Sequence, residues 1–368
     1  MSKQISPINL ATELRDAYLR YFDTAYWLDN VGLMAERRSL LSEPGNLFQD
    51  VLIEPVLRYP STEDLRKVAE ACGVDPQVAD QVGRALFPFI KADQDVKLRL
   101  HQAQAMQASL SSGDQEIRNP VVTSGTGSGK TESFWLPLLT RLRSESVDWE
   151  PQQPMRAWWQ SDQSDEWQSM RGAETRPAAM RGLVLYPTNA LVEDQMTRLR
   201  SAIWRLNQAD PHRPLWFGRY TGVTLGGGNF PPVGRASKDL VADVKGELQA
   251  LDREFAAISA NQSDLNVLSQ FADPNNGEML TRWDMIAAPP DILITNYSML
   301  NAMLMRDVEE GLFNKTRMWL ESDRAHVFTL VVDELHLYRG TSGSEVGMII
   351  RNLLSRIGLD VDSPQLRV

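Results

Sequence analysis

A chain of 368 residues, 42% of them hydrophobic, has room for about two domains with real cores, and no apolar run in it reaches the roughly 18 residues of a membrane span. Its net charge of −10 argues against a general nucleic-acid-coating surface, while a local basic track stays open. One cysteine, Cys72, excludes an intramolecular disulfide and suits a reducing cytoplasm; together with four histidines it offers no metal-ligand spacing, so no zinc module is expected.

Met1-Ser2-Lys3-Gln4-Ile5 leads into charged, amphipathic sequence, unlike a signal peptide. Leu10, Leu14, Tyr18, Tyr21, Phe22, Ala25 and Leu28 recur at helical spacing with Arg15, Asp16, Arg20 and Asp23 between them, which predicts an amphipathic helix. Its Tyr18, Tyr21, Tyr26 and Trp27 are expected in a core in preference to a nucleobase platform. Pro44-Gly45-Asn46 breaks the pattern, and a short apolar piece runs from Phe48 to Leu57. Ser61 or Thr62 can cap a helix reaching Ala71, and Gly73-Val74-Asp75-Pro76 turns into another through Leu86. That pair has a helix-turn-helix outline, but with few basic residues on the second helix a packing role is expected over base reading. Residues 1–95 therefore read as a helical accessory domain.

The unit at 96–368 begins with Leu98-Arg99-Leu100-His101-Gln102. Val121-Val122 then ends a short strand, Ser124-Gly125-Thr126-Gly127-Ser128-Gly129 makes a tight turn, and Lys130-Thr131 opens a helix through Phe134, Trp135, Leu136 and Leu138. Strand, loop and helix in that order are the context of a phosphate-binding loop. A triphosphate needs several backbone N–H groups converging on it, and glycines allow that approach without a Cβ in the way. The helix start adds unpaired N–H groups and the positive end of its dipole. Lys130 would neutralise the β- and γ-phosphates, and the Thr131 hydroxyl would ligate Mg²⁺. Ser124 stands where the strict pattern has its first glycine.

Residues at about 141–180 carry Trp149, Trp158, Trp159 and Trp167 among Gln, Ser, Asp and Pro with no regular period, and read as an insertion. Its tryptophans serve either as a docking or base-stacking surface or, as expected of a long loop, as pins to the body. Gly182 to Tyr186 is a buried strand ended by Pro187-Thr188-Asn189, and the helix after it sets Met196, Leu199 and Ile203 on one face. Arg198, Arg200 and Arg205 on that helix are a positive track or an ordinary solvated face. Leu215 to Tyr220 is a further strand followed by Thr221-Gly222, and about 223–285 is a second insertion, charged and largely helical in pattern. Its Gly226-Gly227-Gly228 run lacks a Lys-Ser/Thr ending and is a flexible loop, not a second nucleotide site.

Pro289-Pro290 introduces the strand Ile292-Leu293-Ile294 before Thr295-Asn296-Tyr297-Ser298, and Phe328 to Val332 is the β-branched run of a buried parallel strand delivering Asp333-Glu334-Leu335-His336. Ligands in open α/β sheets bind at the carboxyl ends of strands. There Asp333 can hold Mg²⁺ and Glu334 can polarise an attacking water.

Ser-Gly-Thr-Gly-Ser-Gly-Lys-Thr with Asp-Glu-Leu-His resembles motifs I and II of superfamily 2 DEAD/DEAH-box helicases. Tyr186-Pro187-Thr188-Asn189-Ala190-Leu191-Val192-Glu193-Asp194-Gln195, Thr295-Asn296-Tyr297-Ser298-Met299-Leu300 and the residues from Asp333 to Ser344 are similar to bacterial DNA helicases of the MrfA/YprA kind and to the large helicases of phage-defence systems such as Druantia and DISARM. The resemblance covers about 96–368. It implies an α/β, RecA-like P-loop lobe with a parallel sheet, preceded by the helical domain, and ATP and Mg²⁺ as cofactors. It further implies that Gln102 reads adenine, for which an amide suits because it both donates and accepts; a solvated helix residue is the plain alternative. Pro187, Thr188, Asn189, Thr221, Gly222, Thr295 and Asn296 would grip nucleic-acid backbone, although Thr295-Asn296 would equally cap a helix. His336 would couple phosphate state to a second lobe.

In the family that second RecA-like lobe supplies arginines across the cleft. It is expected here in cis or from a partner chain, and this chain alone is expected to bind ATP with weak or absent hydrolysis. The implied protein is a cytoplasmic ATP-dependent DNA helicase or translocase in phage defence or DNA repair, with possible defence-complex subunits as partners and no membrane. A nucleotide-gated scaffold without translocation and an RNA helicase lobe remain the alternatives.

Overall fold

The computed structural model describes residues 6–49, 52, 59–110, 118–125, 127–161, 166–234 and 237–368, and the chain forms two compact units, Met1–Tyr59 and Pro60–Val368.

The first unit is built on α1 (Pro7–Ala25) and α2 (Val31–Ser42), whose first turns are closed by the Ser6 hydroxyl, which accepts from Asn9 N–H (3.2 Å), and the Asn30 amide oxygen, which accepts from Leu33 N–H (3.1 Å). Asp23 receives Arg37 at 3.1 Å and Arg38 at 2.9 Å, tying the helices together. The aromatic stripe is not a core. Tyr18, Tyr21, Tyr26 and Trp27 are 45–69% exposed. Two helices alone have little interior to offer: Leu19 is buried on α1, and α2 buries no residue.

The second unit runs β1 (Ser61–Asp64), α3 (Leu65–Ala71), α4 (Pro76–Leu86), β2 (Lys97–Arg99), α5 (Leu100–Leu110), α6 (Lys130–Val147), β3 (Gly182–Tyr186), α7 (Asn189–Ala209), β4 (Phe217–Tyr220), α8 (Lys238–Ser259), α9 (Leu265–Leu268), β5 (Glu278–Met279), α10 (Arg282–Ala287), β6 (Ile292–Asn296), α11 (Tyr297–Met305), α12 (Glu310–Ser322), β7 (Phe328–Val332), α13 (Gly340–Arg356) and β8 (Leu366–Arg367). Six strands form an all-parallel sheet in the order β5-β4-β6-β3-β7-β8. β3 lies at its centre with all five residues buried, as a parallel strand covered on both faces must be. Alternation divides the covering: Val184, Tyr186, Ile292 and Ile294 pack with α3 to α7, while Leu183, Leu185, Leu293 and Leu330 pack with α8 and α10 to α13.

Three expectations shift. The boundary at residue 95 moves to Tyr59, because Leu65, Val68 and Val82 join Trp135 and Leu139 of α6 in one apolar cluster and so belong to the sheet-bearing unit. The cap of α3 is Asp64, which accepts from Arg66 N–H (3.0 Å) and Lys67 N–H (3.2 Å), since residues 61–64 pair antiparallel with β2 and cannot start a helix. Val121-Val122 makes no strand: residues 118–125 join no ladder, and the outermost strand, β8, is two residues long. Beside it Val368 N–H donates to the Asn119 side chain at 2.9 Å.

Both insertions are part of the body. Trp158 and Trp159 are buried, Trp167 meets Phe230 edge-on at 5.7 Å, and the Arg176 guanidinium stacks on Trp149 at 3.7 Å. The second insertion supplies the edge strand β5 and the fully buried Trp283, so it is more than a charged helical excursion. Lys245 and Gln249 of α8 donate to the Ser161 and Trp159 carbonyls, each at 2.8 Å, knitting one insertion to the other.

Asp291, fully buried at the start of β6, accepts both ends of Arg176 (2.7 and 2.9 Å), Arg181 (3.1 Å) and Trp216 N–H (2.8 Å). Burial opposes its charge, yet Arg176 and then Arg181 and Arg171 hold the carboxyl down at about 2. A depressed carboxyl stabilises the fold above its unfolded value of 3.8 and loses that contribution as pH falls toward about 2. Asp291→Ala leaves Arg176 and Arg181 buried without their anion, and urea unfolding at neutral pH should show a loss of about 3 kcal/mol or more. In acid, below the pH at which Asp291 is protonated, the gap between variant and parent should close.

Candidate active site

The glycine loop is placed by two left-handed residues. Gly127 has φ 73°, and Gly129, with φ 75°, is the cap from which α6 starts at Lys130. Between them Ser128 is fully buried, its N–H donating to the Gly125 carbonyl (3.2 Å) and its hydroxyl to the Ser124 hydroxyl (2.6 Å). That bond explains the serine at the first glycine position: it pins the turn from inside. Thr126 lies outside the described residues. Lys130 and Thr131 occupy the first two positions of α6, with their side chains half-buried.

Gln102 is 4% exposed and braces the loop. Its amide oxygen accepts from Arg99 N–H (3.0 Å), its amide nitrogen donates to the Gly129 carbonyl (3.1 Å), and Arg99 donates to the Gly127 carbonyl (2.9 Å). A Cβ on Gly129 would stand 2.5 Å from the Gln102 nitrogen, so this glycine serves close approach as well as φ. A cleft opens beside the loop, lined by Phe87, Phe89, Asp95, Arg99, Gln102 and Glu132 among others. Sequence reading passed over Phe89, whose ring is 79% exposed at this cleft. The Phe87-Pro88-Phe89 aromatic pair in the segment before Gln102 was its only signal.

Across from the loop, β7 ends with Asp333 N–H donating to the Leu185 carbonyl of β3 (3.1 Å). Asp333 in turn accepts from Glu334 N–H at 2.8 Å. Burial raises the Asp333 carboxyl and the Glu334 charge adds to it, while the Glu334 N–H, Lys130 and His336 pull it back. Lys130 at the start of α6 is thus among the charges that act on Asp333. Glu334 sits at φ 52°, the one non-glycine residue with positive φ among the described residues, and its carboxylate meets His336 Nδ1 at 3.1 Å. The neighbouring Tyr186 phenol at the end of β3 is buried without a hydrogen-bond partner, and burial followed by the Asp333 charge raises it. This residue, too, escaped the sequence reading.

The residue types fit a nucleotide and its divalent cation. Loop N–H groups and the start of α6 are suited to anionic oxygen, and Thr131 with Asp333 would offer the hard oxygen donors that Mg²⁺ takes. Among the described residues no group of three His, Cys, Asp or Glu could hold a metal by itself.

The presumed nucleic-acid residues separate. Thr188 and Asn189 are exposed at the start of α7, next to the half-buried Pro187, and Asn296 donates to the Asn189 side chain at 2.6 Å while capping α11 through Met299 N–H (2.8 Å). Gly222 is exposed. Thr295 is not available: fully buried, its hydroxyl donates to the Tyr220 carbonyl at 2.6 Å and ties β6 to β4. Thr221, 1% exposed, is interior as well, its N–H donating to the Thr224 hydroxyl (2.9 Å). Two arginines of α7 are committed elsewhere, Arg198 to Glu132 (2.9 Å) and Arg200 to the buried Glu278 (2.8 Å).

Residues 99–212 match the family model of the DEAD/DEAH box helicases. The chain is 30% identical over 397 aligned residues to the Druantia protein DruE of Escherichia coli (strain UMEA 4076-1), in a match covering 95% of this chain and 19% of that protein. It thus spans about one fifth of the length of the curated relative it matches. Among solved structures it resembles the helicase Lhr of Mycobacterium smegmatis bound to ssDNA and AMP-PNP, at 20% identity and a TM-score of 0.39 over 78% of this chain and 24% of that one.

Left-handed backbone costs a side-chain-bearing residue about 1–2 kcal/mol, part of which a glycine returns through the entropy of the unfolded chain. Glu334→Gly should accordingly be neutral or stabilising, by up to about 1 kcal/mol in thermal unfolding. A loss beyond that size would show that the carboxylate's contact with His336 outweighs the backbone cost.

Proposed function

From the match of residues 99–212 to the DEAD/DEAH box helicase model, we propose that this chain is the ATP-binding first motor lobe of an ATP-dependent DNA helicase or translocase acting in the bacterial cytoplasm. The observation that carries this reading is the junction of Gly129 and Lys130, where a left-handed glycine opens α6 and Lys130 stands within electrostatic reach of Asp333 at the end of β7.

In this reading the loop N–H groups and Lys130 bind the β- and γ-phosphates, Gln102 and Arg99 keep the loop in its binding shape, and Thr131 and Asp333 hold Mg²⁺. The ion, when bound, screens phosphate charge and polarises the γ-phosphoryl group. Glu334 orients the attacking water and accepts its proton, for which its carboxylate must leave His336. Thr188, Asn189, Gly222 and Asn296 grip nucleic-acid backbone. A second RecA-like lobe, in cis or from a partner chain, completes the site. The similarity to a Druantia protein supports phage defence as the setting.

The test is the ATPase rate with and without single-stranded DNA, for this chain alone and for the assembly holding the second lobe, with single-stranded RNA as a parallel stimulator. Stimulation by DNA in the completed assembly, a drop of at least about 100-fold for Glu334→Gln and loss of nucleotide binding for Lys130→Ala are expected. A completed assembly that binds ATP and turns over with neither nucleic acid would replace the motor by a nucleotide-gated scaffold.

A further inference from the structure

The turn after β4 is held from outside itself. Arg282, the first residue of α10 in the second insertion, donates from one guanidinium nitrogen to the Thr221 carbonyl (2.8 Å) and the Gly222 carbonyl (3.1 Å). Its charge lies 5.4 Å from the centre of the Tyr220 ring, and its own N–H donates to the Leu225 carbonyl at 2.8 Å. Leu225 also bridges to Thr281. Residues 281–282 therefore close both limbs of the turn. Beneath it, the Tyr220 hydroxyl donates to Glu309 at 2.7 Å; Glu309 is 1% exposed and also takes Arg306.

Gly222, at the exposed tip, is not constrained as Gly226 and Gly228 are. Gly226 has φ 75°, and a Cβ there would stand 2.9 Å from the Trp283 ring, so the fold demands that glycine. At Gly222 φ is ordinary and a Cβ would meet nothing within 4 Å. Neither conformation nor packing within the chain requires its bare backbone, which stands open to close approach from outside.

We propose that Arg282 is a positioning residue for nucleic acid: by drawing the Thr221 and Gly222 carbonyls toward α10 it presents the bare Gly222 backbone as a seat for a phosphodiester, so that the second insertion sets the strength of the grip. This rests on the motor-lobe reading above. Arg282 works through the turn and does not itself pair with phosphate, which distinguishes it from an ordinary basic contact.

Fluorescence anisotropy of a labelled oligo(dT) strand, measured over a range of KCl concentrations, tests this with Arg282→Gln, Arg282→Lys and Gly222→Ala in the full chain together with the second lobe. Arg282→Gln should weaken binding about tenfold at every salt concentration with the slope of log affinity against log salt unchanged, because no phosphate contact is lost. Arg282→Lys, able to reach one carbonyl, should recover part of the loss. Gly222→Ala should weaken binding with its thermal midpoint intact, and affinity for a fluorescent ATP analogue should not move in any variant. Unchanged DNA affinity in Arg282→Gln overturns the proposal, as does a slope shallower by about one ion, the signature of a direct phosphate contact. Failure of the parent protein to bind the strand would sink the motor-lobe reading with it, whereas a parent that binds and an Arg282→Gln variant that matches it would sink the positioning role alone.

Discussion

A carboxylate without solvent holds the sheet-bearing unit together. Asp291 joins three stretches distant in sequence: Arg176 and Arg181 from the end of the first insertion, Trp216 at the entry to β4, and its own position at the head of β6. Its carbonyl also accepts the N–H groups of Arg181 and Gly182, so β3 and β6 start in register from this point. A buried pair of this kind is poor in net energy, because desolvation takes back most of the Coulomb gain. What it contributes is a single arrangement, since any other would strand a charge in the interior. Trp149, stacked under Arg176, links the start and the end of the first insertion despite its polar composition.

Order at the foot of the sheet is what allows tension at its head. The carboxyl ends of β3, β6 and β7 deliver Tyr186, Asn296 and Asp333, and three unusual features of the candidate site sit there or on the turn after β7. Glu334 keeps a left-handed backbone, Asp333 is ionisable yet partly desolvated, and the Tyr186 phenol has no partner. Strain at such places persists only where the surroundings over-determine the chain.

Much of this was legible in the residues. Continuous apolar runs marked β3, β6 and β7, and the loop before Lys130 declared itself by glycine spacing, because those signals are local. What escaped were facts settled by the third dimension. Tyr18, Tyr21, Tyr26 and Trp27 repeat at helical spacing, but spacing cannot say whether a second surface exists to cover them. Thr295 has the right chemistry for phosphate, yet its strand is central and its hydroxyl is spent on a neighbouring carbonyl. The boundary between the two units also went unseen, because α3 and α4 look like free-standing helices until Leu65 and Val82 are seen against α6. Gln102 was picked out by its place ahead of the loop; that it braces the loop's backbone depends on a contact across 27 residues of sequence.

Gly182 is a spacer of zero thickness. A Cβ on it would stand 2.9 Å from a Leu138 methyl group, so the Leu138 side chain of α6 fills the space directly above this position. Lys130 is the first residue of the same helix. Adding one methyl group in the middle of the layer would press on that leucine, which must give way if α6 is to keep its place. The packing between α6 and β3 thus depends partly on an atom that is missing from the interior, and any attempt to transplant the loop into another α/β scaffold would have to reproduce that clearance first.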